Sequence, residues 1–364
     1  MNQIVLMMLL TRILVCPFVP AETQDEYELH LLNQIDLDEN VPSFITPLDT
    51  DSEQLQYFVS SHGAIIEYST AENTYSVTQT SKNLDGGYAF NSQTKQLLIR
   101  TQDRTEDDIY HGRNAEEHIL SAYDLRGTLL WQDTIPSDMS IVPFDNQWVC
   151  LSGNKLSVMD SSWKTQQTIS LPGSQYILAK ADAEKVYTNL YENDSWYTCA
   201  FDWNGNLTAQ DETLGLYQQT VLSTNGAETV LLAHSGTAPY GTDYGIYVCS
   251  EEQIIKKAQS ITFPELESGL FYWMTSACQI EDQYYVCASI QDEGGHVNGN
   301  VIFTLDHLYQ VVDCKSVSLP EDYGVTMLLS EGENIYLFAS YQATGFSALQ
   351  QDEQKPHILV YQLF

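Results

Sequence analysis

The chain has 364 residues, 49 Asp plus Glu against 15 Lys plus Arg, and a formal net charge of −34. That balance excludes functions that need a basic surface, so neither nucleic acid nor anionic lipid is an expected partner. A hydrophobic content of 43%, with 23 Tyr and 6 Trp, supplies ample apolar material for a packed core.

The first residues read as an atypical export signal. Ile4–Leu10 is a short apolar run, Thr11-Arg12 interrupts it, and Ile13–Val19 resumes it. The whole is too short and broken to span a bilayer. Val19-Pro20-Ala21 suits a signal-peptidase cut, so residues 1–21 are expected to be removed and 22–364 to form one domain. A lipid anchor at Cys16 is disfavoured, because Val15 stands where a small residue is needed. The expected location is the cell exterior or envelope, with the cytoplasm as the alternative. No integral membrane segment is expected in the mature chain.

From residue 27 onward the chain repeats one unit: an apolar strand, a polar turn, and a second, more continuously apolar strand. The copies are residues 43–61, 86–101, 139–153, 175–191, 218–235, 271–289 and 323–341. Their turns of Asp, Asn, Ser, Gly and Glu are hairpin chemistry. Second strands such as YYVCA, IYLFA and TVLLA lack alternation, which marks strands covered on both faces. A third strand follows each hairpin, and four of these end at an Asp: Asp124, Asp160, Asp202 and Asp306. A carboxylate there is placed to accept backbone N–H bonds in the turn to the outer strand. Gly127 and Gly205 add left-handed freedom in two of those turns. The outer strands, such as 74–80, 164–171 and 206–213, are polar, as water-facing edges should be.

Hairpin starts recur at intervals within roughly 32–54 residues, near the ~40–50 of propeller blades. The expected fold is therefore all-β: a seven-bladed β-propeller with four antiparallel strands per blade. The seventh blade has three strands before the chain ends at Phe364. Segment 27–35, a strand with no hairpin partner of its own, is expected to supply the fourth and close the ring.

Six Cys lie beyond the signal, all on predicted strands or strand ends, and none forms a C-x-x-C pair. They read as small buried hydrophobes rather than zinc ligands or disulfides. No P-loop, G-x-S-x-G, H-E-x-x-H or G-x-G-x-x-G motif is present, and no cofactor or metal is expected.

Function should concentrate where loops are long. The connections between second and third strands share one face of the ring, and four of them are extended: 101–117, 234–243, 291–299 and 340–356. Their aromatic, His and acidic residues make the candidate ligand-binding set Tyr110, His111, His234, Tyr240, Asp243, His296 and Phe346. Two readings follow. One is a monomeric, non-catalytic binding module that holds a protein, peptide or glycan on that face. The other is a glycan-active hydrolase or lyase, which needs two carboxylates or a His set to converge.

The segment Ala122-Tyr-Asp124-Leu-Arg-Gly127-Thr-Leu-Leu-Trp131 resembles the A-x-D-x-x-T-G-x-x-x-W motif of PQQ-like propellers, with one residue fewer between Asp and Gly and no Thr. Ala200-Phe-Asp202-Trp-Asn-Gly205 carries its front half. The WD dipeptide of WD40 repeats and the double glycine of kelch repeats are missing. The resemblance implies a bacterial, exported propeller of the broad PQQ-like or WD40-like kind, and it carries over no quinone-binding residue and no enzyme class.

Overall fold

The computed structural model describes residues 26–37, 45–48, 55–60, 63–80, 87–102, 117–173, 175–224, 228–234, 244–294, 296–320, 323–341 and 358–364. Within these, strand β1 (Leu29–Ile35) precedes seven hairpins. Blade one is β2 (Ile45–Leu48), β3 (Leu55–Ser60), β4 (Ala64–Ser69) and β5 (Thr74–Gln79). Blade two is β6 (Tyr88–Asn91), β7 (Gln96–Gln102), β8 (Glu117–Asp124) and β9 (Leu129–Pro136), and blade three is β10 (Ser140–Phe144), β11 (Gln147–Ser152), β12 (Lys155–Met159) and β13 (Thr165–Ser170). Blade four is β14 (Ile177–Ala181), β15 (Lys185–Glu192), β16 (Ser195–Asp202) and β17 (Leu207–Thr213), and blade five is β18 (Tyr217–Thr224), β19 (Thr229–His234), β20 (Tyr244–Cys249) and β21 (Ile255–Ser260). Blade six is β22 (Leu270–Ile280), β23 (Gln283–Asp292), β24 (Val297–Leu305) and β25 (Val311–Val317), and β26 (Tyr323–Glu331), β27 (Asn334–Tyr341) and β28 (Ile358–Leu363) begin blade seven. Each blade is one antiparallel four-stranded sheet, and β1 is the fourth strand of the last. The expected fold is the observed one. The described residues include no helix long and apolar enough to cross a membrane.

Closure extends beyond that one pairing. β1 begins two residues later than the expected segment, because Tyr27 leaves blade seven and donates its N–H to the Ser316 carbonyl of blade six at 3.1 Å. At its other end the Asn33 amide donates to Asn73 Oδ1 and to the Asn73 carbonyl in blade one, at 2.7 and 2.8 Å. One strand therefore ties three blades. Beneath it Ile35 and Leu37 are buried with Phe58, Tyr68 and Phe338, whose rings meet at 5.1–5.5 Å between centroids.

Apolar clusters built from both neighbours seal six of the seven blade-to-blade interfaces among the described residues. Leu48, Val59 and Ile65 meet Leu97 and Ile99 between blades one and two. Leu98 and Leu120 meet Trp148 between two and three, and Val149 and Leu151 meet Val186 and Phe201 between three and four. Leu232 and Ile246 meet Val286 and Phe303 between five and six, and Ile302 meets Val325 and Leu337 between six and seven. This is why the second strands read as unbroken apolar runs: each of their two faces belongs to a different interface.

The turns to the outer strands follow one rule. Oδ1 of Asp124, Asp160, Asp202 and Asp306 each accepts two backbone N–H bonds, two and four residues on, at 2.8–3.0 Å. The residue three on lies in the left-handed region in every case: Gly127, Trp163, Gly205 and Tyr309. The two aromatic residues accept a conformation that costs roughly 1–2 kcal/mol. Packing offsets it, since Trp163 stacks on Trp131 at 4.8 Å and Tyr309 on Tyr284 at 5.2 Å. The Asp124…Trp131 segment thereby also ties blades, because Trp131 Nε1 donates to the Ser161 carbonyl of blade three at 2.9 Å.

The six cysteines among the described residues are free thiols. Burial raises Cys150, Cys278 and Cys287 to about 12, so none is an appreciable thiolate near neutral pH.

Three measurements check these assignments. Deleting the chain before Asp36 should strip β1 from β28 and lower the melting temperature by at least about 5 °C, with a broader transition in calorimetry. Gly205→Ala should cost about 3 kcal/mol, because its methyl would sit 2.7 Å from the Ser170 carbonyl at a positive φ. Gly153→Ala, at a positive φ in open space, should cost about 1 kcal/mol in the same denaturant titration. A thiol reagent at pH 8 should leave Cys150 and Cys287 unlabelled in the native protein and label both in denaturant.

Candidate functional site

The antiparallel order of each blade places the second-to-third-strand connections and the blade-to-blade connections on one face. The structure confirms the unequal spacing there. β7 to β8, β19 to β20 and β27 to β28 are separated by long connections, whereas β3 to β4, β11 to β12 and β15 to β16 turn tightly. Blade six differs from expectation. β23 and β24 extend further than predicted, and the loop over 291–299 shrinks to a turn after Asp292.

That turn explains His296. Asp292 Oδ1 accepts N–H bonds from Gly294 and His296, both at 2.9 Å, and its carboxylate meets His296 Nδ1 at 3.1 Å. The backbone N–H of His296, followed by its ring, holds the Asp292 carboxyl below the usual range. This is the turn rule of the Asp124 type again, with an exposed imidazole added as a second clasp. His234 ends β19 on the opposite kind of site: it is buried, edge-on to Tyr244 at 5.6 Å, on the face of blade five that meets blade six. The two described histidines of the candidate set thus serve different structural ends and do not share a pocket. Tyr110, His111, Tyr240, Asp243 and Phe346 lie outside the described residues. No group of three His, Cys, Asp or Glu that could hold a metal occurs among the described residues.

The feature the sequence reading missed is the interface between blades four and five. Its apolar cluster comes from blade five and the connecting segment alone: Leu231, Ala233 and Tyr247, with Leu216, Cys249 and Ile255 at the margin. No blade-four residue belongs to this cluster, and the buried apolar residues blade four turns this way are Tyr187 and the small Ala200. The cause is local. Alternation along β15 sends Val186 and Leu190 toward blade three and Tyr187 and Asn189 toward blade five. β16 likewise turns Cys199 and Phe201 to blade three and leaves Thr198 and Ala200 for blade five.

Hydrogen bonds join the two sheets instead. Thr198 Oγ1 donates to the Gln253 carbonyl at 3.0 Å, the Ile255 N–H donates to Thr213 Oγ1 at 2.8 Å, and Lys180 Nζ donates to the Glu251 carbonyl at 3.2 Å. Behind them lies a cavity of about 470 Å³, within the ~300–1,000 Å³ typical of ligand sites. Trp196, Leu216, Leu231 and Ile255 form its apolar part, and Asn189, Gln219 and Gln253 add polar lining from three different strands and turns. Gly215 is what lets the connection lie against the indole, since a methyl there would sit 2.5 Å from Trp196 Nε1. Among the described residues, no charged side chain lines the cavity. One signal in the sequence marks the place: Thr188-Asn189 interrupts a second strand that is apolar at the matching positions of blades three, five, six and seven.

No protein-family model matches the chain, and no curated protein does. Solved structures do. The β-propeller domain of Myceliophteria thermophila Cps50 (Swd1) aligns over 92% of this chain and 99% of its own at 9% identity, with a TM-score of 0.52. U3-55K aligns over 93% and 99% at 12% identity, and the Neurospora crassa Pan2 WD40 domain over 93% and 97% at 11%, each with a TM-score of 0.49. At such identities the likeness to the Cps50 domain is one of fold: a complete propeller ring, spanned almost end to end.

Proposed function

We propose that the chain is a non-catalytic binding propeller of the bacterial envelope or exterior, which holds a protein or peptide on the face that carries its long connections. The observation that carries this reading is the contrast between seven near-uniform blades and unequal connections on one face. A rigid ring with variable loops on one side is built to present a surface. The acidic side chains support binding over catalysis. Asp124, Asp160, Asp202, Asp292 and Asp306 clasp turns and do not converge in a pocket, whereas acid–base chemistry needs carboxylates aimed at one reacting atom. The apolar runs before Ala21 support export.

The test is selection of a random-peptide phage library on the immobilised full-length protein and on a Tyr110→Ala, Tyr240→Ala, Phe346→Ala triple variant. Enrichment of defined sequences on the parent, weakened at least about tenfold on the variant, is the expected outcome. Equal enrichment on both, or none on either, would overturn the reading.

A further inference from the structure

We infer that the cavity between blades four and five is a docking site for an extended, basic peptide segment of a partner protein, which seats one uncharged apolar side chain in it. This rests on the binding reading above and names its site and partner chemistry.

The lining sets the anchor. A wall of Trp196, Leu216, Leu231 and Ile255 with no charged side chain rewards an aliphatic or aromatic group and penalises a buried charge. The volume of about 470 Å³ accommodates one large side chain together with its flanking backbone.

The polar groups set the rest. A carboxamide carries one acceptor and one donor side by side, the same pair a peptide unit presents, so Asn189 and Gln253 can each engage the backbone of an extended segment. Neither amide makes a side-chain hydrogen bond among the described residues, although each lies in a joint otherwise tied by hydrogen bonds. Both residues are half-buried, so their amides are free to exchange water for a ligand's backbone.

The rim adds an apolar landing area. Leu214 is 42% exposed, Tyr191 is 53% exposed with its ring 5.1 Å from Trp196, and Ile177, the register partner of Asn189, is also 53% exposed. Leu214 at the cavity and Tyr191 against Trp196 give a partner apolar surface to meet. Trp196 and the Leu214–Leu216 connection place one end of the cavity on the face that carries the long connections. The partner's sign follows from the whole-chain charge of −34, which repels an acidic segment and steers a basic one.

The experiment sequences the peptides enriched on the full-length protein and measures the binding of one synthetic consensus peptide by fluorescence polarisation. Two seam variants are compared: Ala179→Phe, which fills the cavity, and Asn189→Leu, which replaces a carboxamide by an apolar group of the same branching. Thermal melts verify that both are folded. The expected result is a consensus of one aromatic or aliphatic residue flanked by Lys or Arg. Its affinity should fall at least about tenfold in each variant, and it should weaken as salt is raised. A Trp fluorescence shift on binding should vanish in Trp196→Phe.

Full affinity in both folded variants would overturn the seam assignment. If the loop triple variant then loses binding, the broader reading stands while this one falls. A consensus without basic residues would overturn the partner chemistry, as would saturable binding of neutral oligosaccharides with no peptide enriched. Failure to enrich any ligand would overturn both.

Discussion

The pairing of β1 with β28 is the constraint on which the rest of the ring depends. A blade is a sheet with two apolar faces, and neither face is stable until another blade covers it. In an open row the two end blades would each leave a face in water, so the last interface must be made between the two ends of the chain. β1 achieves this by completing blade seven, and its flanks reach further, through Tyr27 to blade six and Asn33 to blade one. The buried set of Ile35, Phe58, Tyr68 and Phe338 then becomes an interface like the others. Phe58 and Phe338 come from opposite ends of the domain, so the contact exists only when the whole ring does.

The acidic composition has a structural side. The Asp residues that end third strands are chosen for geometry: a short side chain with two acceptors spans a tight turn and satisfies two N–H groups at once. Asn91 and Asp182 do the same in first-to-second-strand turns. Such carboxylates stay at the surface, where their charge is solvated.

The joint between blades four and five departs from this scheme. It is held by hydrogen bonds around a cavity rather than by a shared apolar core, and Tyr247 is buried there with its hydroxyl unpartnered among the described residues. Here the shared apolar cluster that seals the other six described interfaces is missing, and a buried hydroxyl without a partner lies beside the gap. Such places are where proteins depart from stability in favour of function.

The sequence by itself determined the strand list, the hairpins and the closure, because these follow from local patterns: continuous apolar runs, polar turns, an Asp at the strand end, and one strand left without a partner. It also located the turn carboxylates correctly. Only the tertiary structure decided what each face of a strand meets. The run Val186-Tyr-Thr-Asn-Leu-Tyr191 reads as one more second strand, and nothing in it states that Tyr187 and Asn189 face blade five while Val186 faces blade three. His234 and His296 looked alike as loop histidines, yet one is buried against Tyr244 and the other clasps a turn. The physical reason is that periodicity is a property of the chain, whereas an interface is a property of two sheets brought together by ring geometry.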